Sequence, residues 1–140
     1  MRRPIVRGWL LCALMAFAAA CGTSGTPVSP TSPATITDTF TGTLAQNGGI
    51  THQFSATAAG TVTATLTAVG PDSAKTVGFS MGTLIGTVCQ ITLANDVAVQ
   101  TSVLSAQAQT AGTFCVRIYD VGSVTSDTGP FTYTVTVLHP

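Results

Sequence analysis

Thr61-Val-Thr-Ala-Thr-Leu-Thr-Ala68 alternates without a break: Val62, Ala64, Leu66 and Ala68 share one face, and four threonines share the other. Successive side chains of an extended chain point to opposite sides. A period of two with β-branched residues on the wet face therefore specifies a half-buried strand. The same grammar extends in both directions. Upstream, Ile36 to Leu44 and Ile50 to Ala56 flank the turn signal Asn47-Gly48-Gly49. Downstream, Gly70-Pro71-Asp72-Ser73 breaks the pattern, and Thr76 to Leu93 reads as two strands interrupted at Gly82 and Gly86. Asn95-Asp96 is expected to turn the chain into a strand from Val97 to Leu104.

Gly112 to Asp120 comes next, with Phe114, Val116 and Ile118 on one face. The closing run, Phe131 to Val137, points Phe131, Tyr133, Val135 and Val137 inward. Val99 to Ala111 is the best helical candidate because Ala and Gln are frequent there. The alternation of Val97, Val99, Thr101 and Val103 favours a strand instead. About eight short strands separated by turn signals predict an all-β domain over residues 36–140, an antiparallel β-sandwich of jelly-roll type.

The N-terminus carries a different message. Arg2, Arg3 and Arg7 precede an apolar run from Trp9 to Ala20, which closes on small residues and Cys21. A basic start, a short apolar core and a small-residue cleavage site describe an export signal over residues 1–20. The run is too short for a spanning helix, which needs roughly 20 apolar residues. Ala18-Ala19-Ala20-Cys21 resembles the lipobox of bacterial lipoproteins, although that family usually has Leu where Ala18 stands. The resemblance implies acylation of Cys21 by two or three chains and attachment to a membrane, since one chain alone anchors only marginally. Gly22 carries none of the inner-membrane retention signal of enteric bacteria, which favours the outer membrane in a two-membrane cell. Residues 21–35 hold three prolines at three-residue spacing, no charge and almost no large apolar side chain. They read as a disordered tether, extending roughly 3.1 Å per residue, or about 40 Å in all.

Without residues 1–20 the chain keeps Lys75 and Arg117 against Asp38, Asp72, Asp96, Asp120 and Asp127, a net charge of −3. Such a chain does not attract a polyphosphate, so nucleic acid is not an expected partner. Cys12 leaves with the signal and Cys21 is the acyl site. Cys89 and Cys115 then remain as an even pair in an exported chain, and a disulfide is the expected state. Closing a loop of 26 residues would stabilise the fold by on the order of 3 kcal/mol. Simple alternation puts Cys115 opposite Phe114 and Val116 but puts Cys89 with Ile91 and Leu93. The bridge would then join an outer position to an inner one unless a bulge intervenes.

Ala59-Gly-Thr-Val-Thr-Ala-Thr-Leu66, Ala111-Gly-Thr-Phe-Cys-Val-Arg-Ile-Tyr-Asp120 and Phe131-Thr-Tyr-Thr-Val-Thr-Val137 resemble, in order and spacing, the bacterial pre-peptidase C-terminal (PPC) domain. The resemblance spans most of Asp38 to Leu138. It implies a small jelly-roll sandwich without catalytic activity, of the kind appended to exported proteins and credited with export, solubility or substrate binding. Family members usually carry acids in a middle strand. Here that strand reads Thr76-Val-Gly-Phe-Ser-Met-Gly-Thr-Leu84.

Chemistry-bearing residues are few. Gly78-Phe-Ser-Met-Gly82 matches the G-x-S-x-G of a nucleophile elbow, which would make Ser80 the nucleophile of a small serine hydrolase. That motif needs a strand-to-helix turn, and no helical pattern follows Gly82. The expected reading is a glycine-flanked strand, with no catalytic residue. His52 reads as a solvated strand histidine and His139 as part of a frayed end. Asp72, Asp96, Asp120 and Asp127 are dispersed at turns and read as local caps rather than as a calcium site, and no cofactor is implied. The one Trp lies in the signal, so Tyr119, beside Arg117 on the outer face, is the candidate surface contact for an envelope protein or glycan.

Overall fold

The computed structural model describes residues 32–140. The expected signal, Cys21 and most of the tether lie outside the described residues. Eight strands follow one another: β1 (Ile36–Leu44), β2 (Gly49–Ala56), β3 (Gly60–Gly70), β4 (Val77–Ile85), β5 (Val88–Ala98), β6 (Val103–Ala108), β7 (Gly112–Tyr119) and β8 (Phe131–His139). They form two four-stranded antiparallel sheets, ordered β1-β8-β3-β6 and β2-β7-β4-β5. The pattern has a simple origin. β1 pairs with β8, β2 with β7, β3 with β6 and β4 with β5, so the chain is one long hairpin wound into two layers. Its tip is the two-residue turn Gly86-Thr87, where Gly86 has φ +62°. A glycine in that first position is what a type II′ hairpin turn needs. This is the eight-stranded jelly roll expected from the strand grammar.

The core lies between the layers. Val62, Ala64 and Leu66 of β3 and all four expected residues of β8 are buried, as their parity requires. Ala68 is a correction. The register of β3 against β8 shifts between Leu66 and Ala68, leaving Thr67 as an extra residue, and Val69 turns inward in its place. A bulge of one residue inverts the parity of everything beyond it.

Two further shifts revise the middle of the chain. Gly82 does not interrupt β4, which runs through to Ile85. The Asn95-Asp96 turn is not a turn either: β5 continues to Ala98, and the true break is Val99–Ser102, with Thr101 at φ +79°. Val77 pairs with Ala98 and Phe79 with Asn95, so the bending tendency of Asn95-Asp96 goes into a bulge within β5. The Asn95 side chain accepts from the Val97 amide there. The strand expected from Val97 to Leu104 is therefore displaced to Val103–Ala108.

Both histidines depart from expectation. His139 is 2% exposed; its Nε2 lies 3.0 Å from Asp38 Oδ2 on the neighbouring strand, and its ring packs 5.1 Å from that of Phe54. It is a structural part of β8 rather than a frayed end. His52 is half-buried and faces inward, in parity with Phe54. Its ring stacks on Phe40 of the opposite sheet at 4.8 Å, and its Nε2 lies 2.8 Å from the Tyr133 hydroxyl. Burial pushes the His52 pKa down from its usual value. Together Phe40 and His52 close the side of the sandwich where β1 faces β2.

Candidate functional site

The outer face of the β2-β7-β4-β5 sheet collects most of the residues singled out by sequence. Cys89 and Cys115 form a disulfide, with Cα atoms 5.8 Å apart. They come from β5 and β7, the two strands on either side of β4. Neighbouring strands lie about 4.8 Å apart, so flanking strands in one plane would be roughly twice that distance from each other. β5 must therefore lift out of the sheet and fold across β4.

Two features permit the crossing. Met81 pairs with Leu93 but Gly82 pairs with Ile91, so Thr92 is a bulge residue that transfers Ile91 and Cys89 to the outer face. This resolves the parity conflict between the cysteines. The Thr92 hydroxyl, freed by the bulge, donates to the Met81 carbonyl at 3.2 Å. The second feature is Gly82 itself, since a Cβ there would overlap the Gln90 backbone carbonyl. Both glycines of the Gly78–Gly82 motif thus have packing roles. A Cβ at Gly78 would collide with the Tyr119 ring, which lies over it.

Ser80, between them, is in mid-strand and 1% exposed. Its Oγ is a buried side-chain atom with no hydrogen-bond partner among the described residues. A nucleophilic serine needs a base within hydrogen-bond reach. His52 is engaged with Tyr133 and His139 with Asp38.

Arg117 and Tyr119 are brought together as their spacing on β7 implies. The guanidinium lies 5.4 Å from the Tyr119 ring centroid, a cation–π contact. Arg117 is exposed and Tyr119 half-buried. The Tyr119 hydroxyl donates to Asp96 of β5. That hydrogen bond, with burial and the negative charge of Asp96, raises the tyrosine pKa above its usual value against the opposing pull of Arg117. Sequence reasoning missed Asp96 because β4 separates β5 from β7. The result is a short basic–aromatic–acidic strip beside the disulfide.

Asp120 organises the loop beyond β7. Its Oδ1 accepts from the amides of Gly122, Ser123 and Val124 at 2.9–3.0 Å, and its Oδ2 from the Asn47 amide at 2.8 Å. Burial alone would push this carboxyl up. The amides of Val124, Asn47, Gly122 and Ser123 overcome that and hold it below its usual value. Asp72 caps the Ala74 amide in the same local fashion. Among the described residues no three His, Cys, Asp or Glu side chains converge as a metal site would require.

No protein-family model matches the chain, and no curated protein matches it. What can be said of its role comes from its own residues.

Proposed function

We propose that this chain is an exported, lipid-anchored, non-catalytic β-sandwich module of the bacterial cell envelope, related in kind to PPC accessory domains. Cys21 is the anchor, residues 22–35 the spacer, and the jelly roll the part presented outside the cytoplasm, with the outer membrane favoured. The observation that carries this reading is the Cys89–Cys115 bridge, a structural disulfide seated over Gly82. Disulfides of this kind persist in oxidising compartments, in keeping with an export signal. The placement of Ser80 supports a non-catalytic role, since its hydroxyl is enclosed and both histidines are committed elsewhere. The Arg117–Tyr119–Asp96 strip is the surface we assign to an envelope protein or glycan.

Fractionation tests the anchor. The wild-type protein should partition with membranes, and Cys21→Ser should be released to the soluble envelope fraction; equal membrane partitioning of both would refute lipid anchoring. A fluorophosphonate probe tests the catalytic alternative. Labelling of wild type that disappears in Ser80→Ala would make the protein a serine hydrolase and overturn the binding reading. Capture of envelope material unchanged by an Arg117→Ala, Tyr119→Ala double variant would remove the strip as the contact.

A further inference from the structure

The two open sides of the sandwich are closed differently. Where β1 faces β2, Phe40 and His52 stack and fill the gap. Where β6 faces β5, the inward residues of β6 beyond Leu104 are only Ala106 and Ala108. The result is a cleft of about 370 Å³ between the sheets, walled by Val62, Met81, Leu93, Ala106, Ala108 and Phe114, with Thr83 at its exposed edge. None of the residues lining it is charged.

We infer that this cleft binds an uncharged, predominantly apolar small molecule. Clefts of roughly 300–1,000 Å³ with apolar walls and a few polar groups are the usual form of small-molecule sites. Size narrows the class. An apolar protein cavity of about 150 Å³ holds benzene, so this one holds a molecule of two to three rings or an aliphatic chain of similar bulk. Charge narrows it further. An ionised group drawn between the sheets would lose hydration with no opposite charge among the lining residues, which selects neutral ligands. The inference stands apart from the lipid-anchor reading, because it concerns the interior edge of the domain and not its N-terminus or the Arg117 strip.

Two fluorescent probes with the same rings and different charge provide the test. N-phenyl-1-naphthylamine is neutral, and 1-anilinonaphthalene-8-sulfonate carries a sulfonate. The neutral probe should bind the full chain saturably, and the sulfonate at least about tenfold more weakly. Ala106→Phe, which fills the cleft, should weaken the neutral probe by a similar factor while amide NMR dispersion stays native. Thr83→Lys, at the exposed edge, serves as a second variant if Ala106→Phe fails to fold, and it too should weaken the neutral probe. Absence of saturable binding, equal affinity for the two probes, or affinity unchanged in the folded variant would overturn the inference. So would displacement of the probe on raising protein concentration alone, which would show a second copy of the chain occupying the cleft.

Discussion

Gly82→Ala tests the crossing of β5 over β4, and its effect should depend on whether the disulfide is closed. With Cys89 bound to Cys115, the Gln90 carbonyl is held over Gly82, and an added Cβ has no room. Forcing a methyl into a close-packed site costs about 1–3 kcal/mol, and the rigid obstacle here is backbone, which places the cost at the upper end. In a Cys89→Ala, Cys115→Ala background β5 is free to settle back toward the sheet plane. The same substitution should then lie within about 1 kcal/mol of neutral, because alanine also restricts the unfolded chain. The two effects leave a coupling of roughly 1.5–2 kcal/mol, well above the few tenths expected for independent sites. Removing the bridge itself should cost on the order of 3 kcal/mol for a 26-residue loop. Urea unfolding of the four proteins, followed by far-UV circular dichroism, gives the complete cycle. An equal cost for Gly82→Ala in both backgrounds, or no cost in the bridged protein, would refute the crossing.

Other outcomes follow from single groups. Asp120→Asn should destabilise the domain by roughly 1–2 kcal/mol near neutral pH through loss of its charged acceptor, measured by urea midpoint. Its folded pKa is depressed, so its contribution is present above the usual carboxylate value of 3.8 and is lost as pH falls through the folded value. The variant should therefore lose less stability than wild type on acidification below about pH 4. His52 also has a depressed folded pKa, and as a base it favours folding while neutral. The stability tied to it is full above about pH 6.5 and declines as pH falls toward the folded value. His52→Gln, able to keep a hydrogen bond to Tyr133, should flatten that decline in thermal melts between pH 7 and 5; an unchanged slope would exclude His52 as its source. Tyr119 and Tyr133 are the two tyrosines of the chain, and both are raised above 10, Tyr119 first by its bond to Asp96 and Tyr133 by burial. Phenolate absorbance should show neither titrating at the ordinary value.

Most strands were legible because a sheet with one dry face imposes alternation on its segments; β4, covered on both faces from Val77 to Gly82, is the exception. β1, β2 and β7 could be placed to within one residue from that alternation, and β3 and β8 to within two. The bulges at Thr67, Thr92 and Asp96–Val97 left no such trace, since one extra residue changes parity without changing composition. Asn95-Asp96 carries the chemistry of a turn, and only its pairing with β4 diverts that bend into a bulge. The outer-face site was half legible. Arg117 and Tyr119 share a strand face by spacing alone, whereas Asp96 arrives from two strands away. His139 was misjudged because its partner, Asp38, lies at the other end of the ribbon, 101 residues earlier. A cleft left open by two alanines of β6 announces itself only when the opposite sheet is in place.

Intact mass and N-terminal peptide analysis of the protein extracted from the cell envelope bear most directly on the account as a whole. The expected product begins at Cys21, carries the added mass of two or three acyl chains, and retains the Cys89–Cys115 bridge. A product that begins at Met1, or that begins at an unmodified Cys21 and is freely soluble, would contradict it.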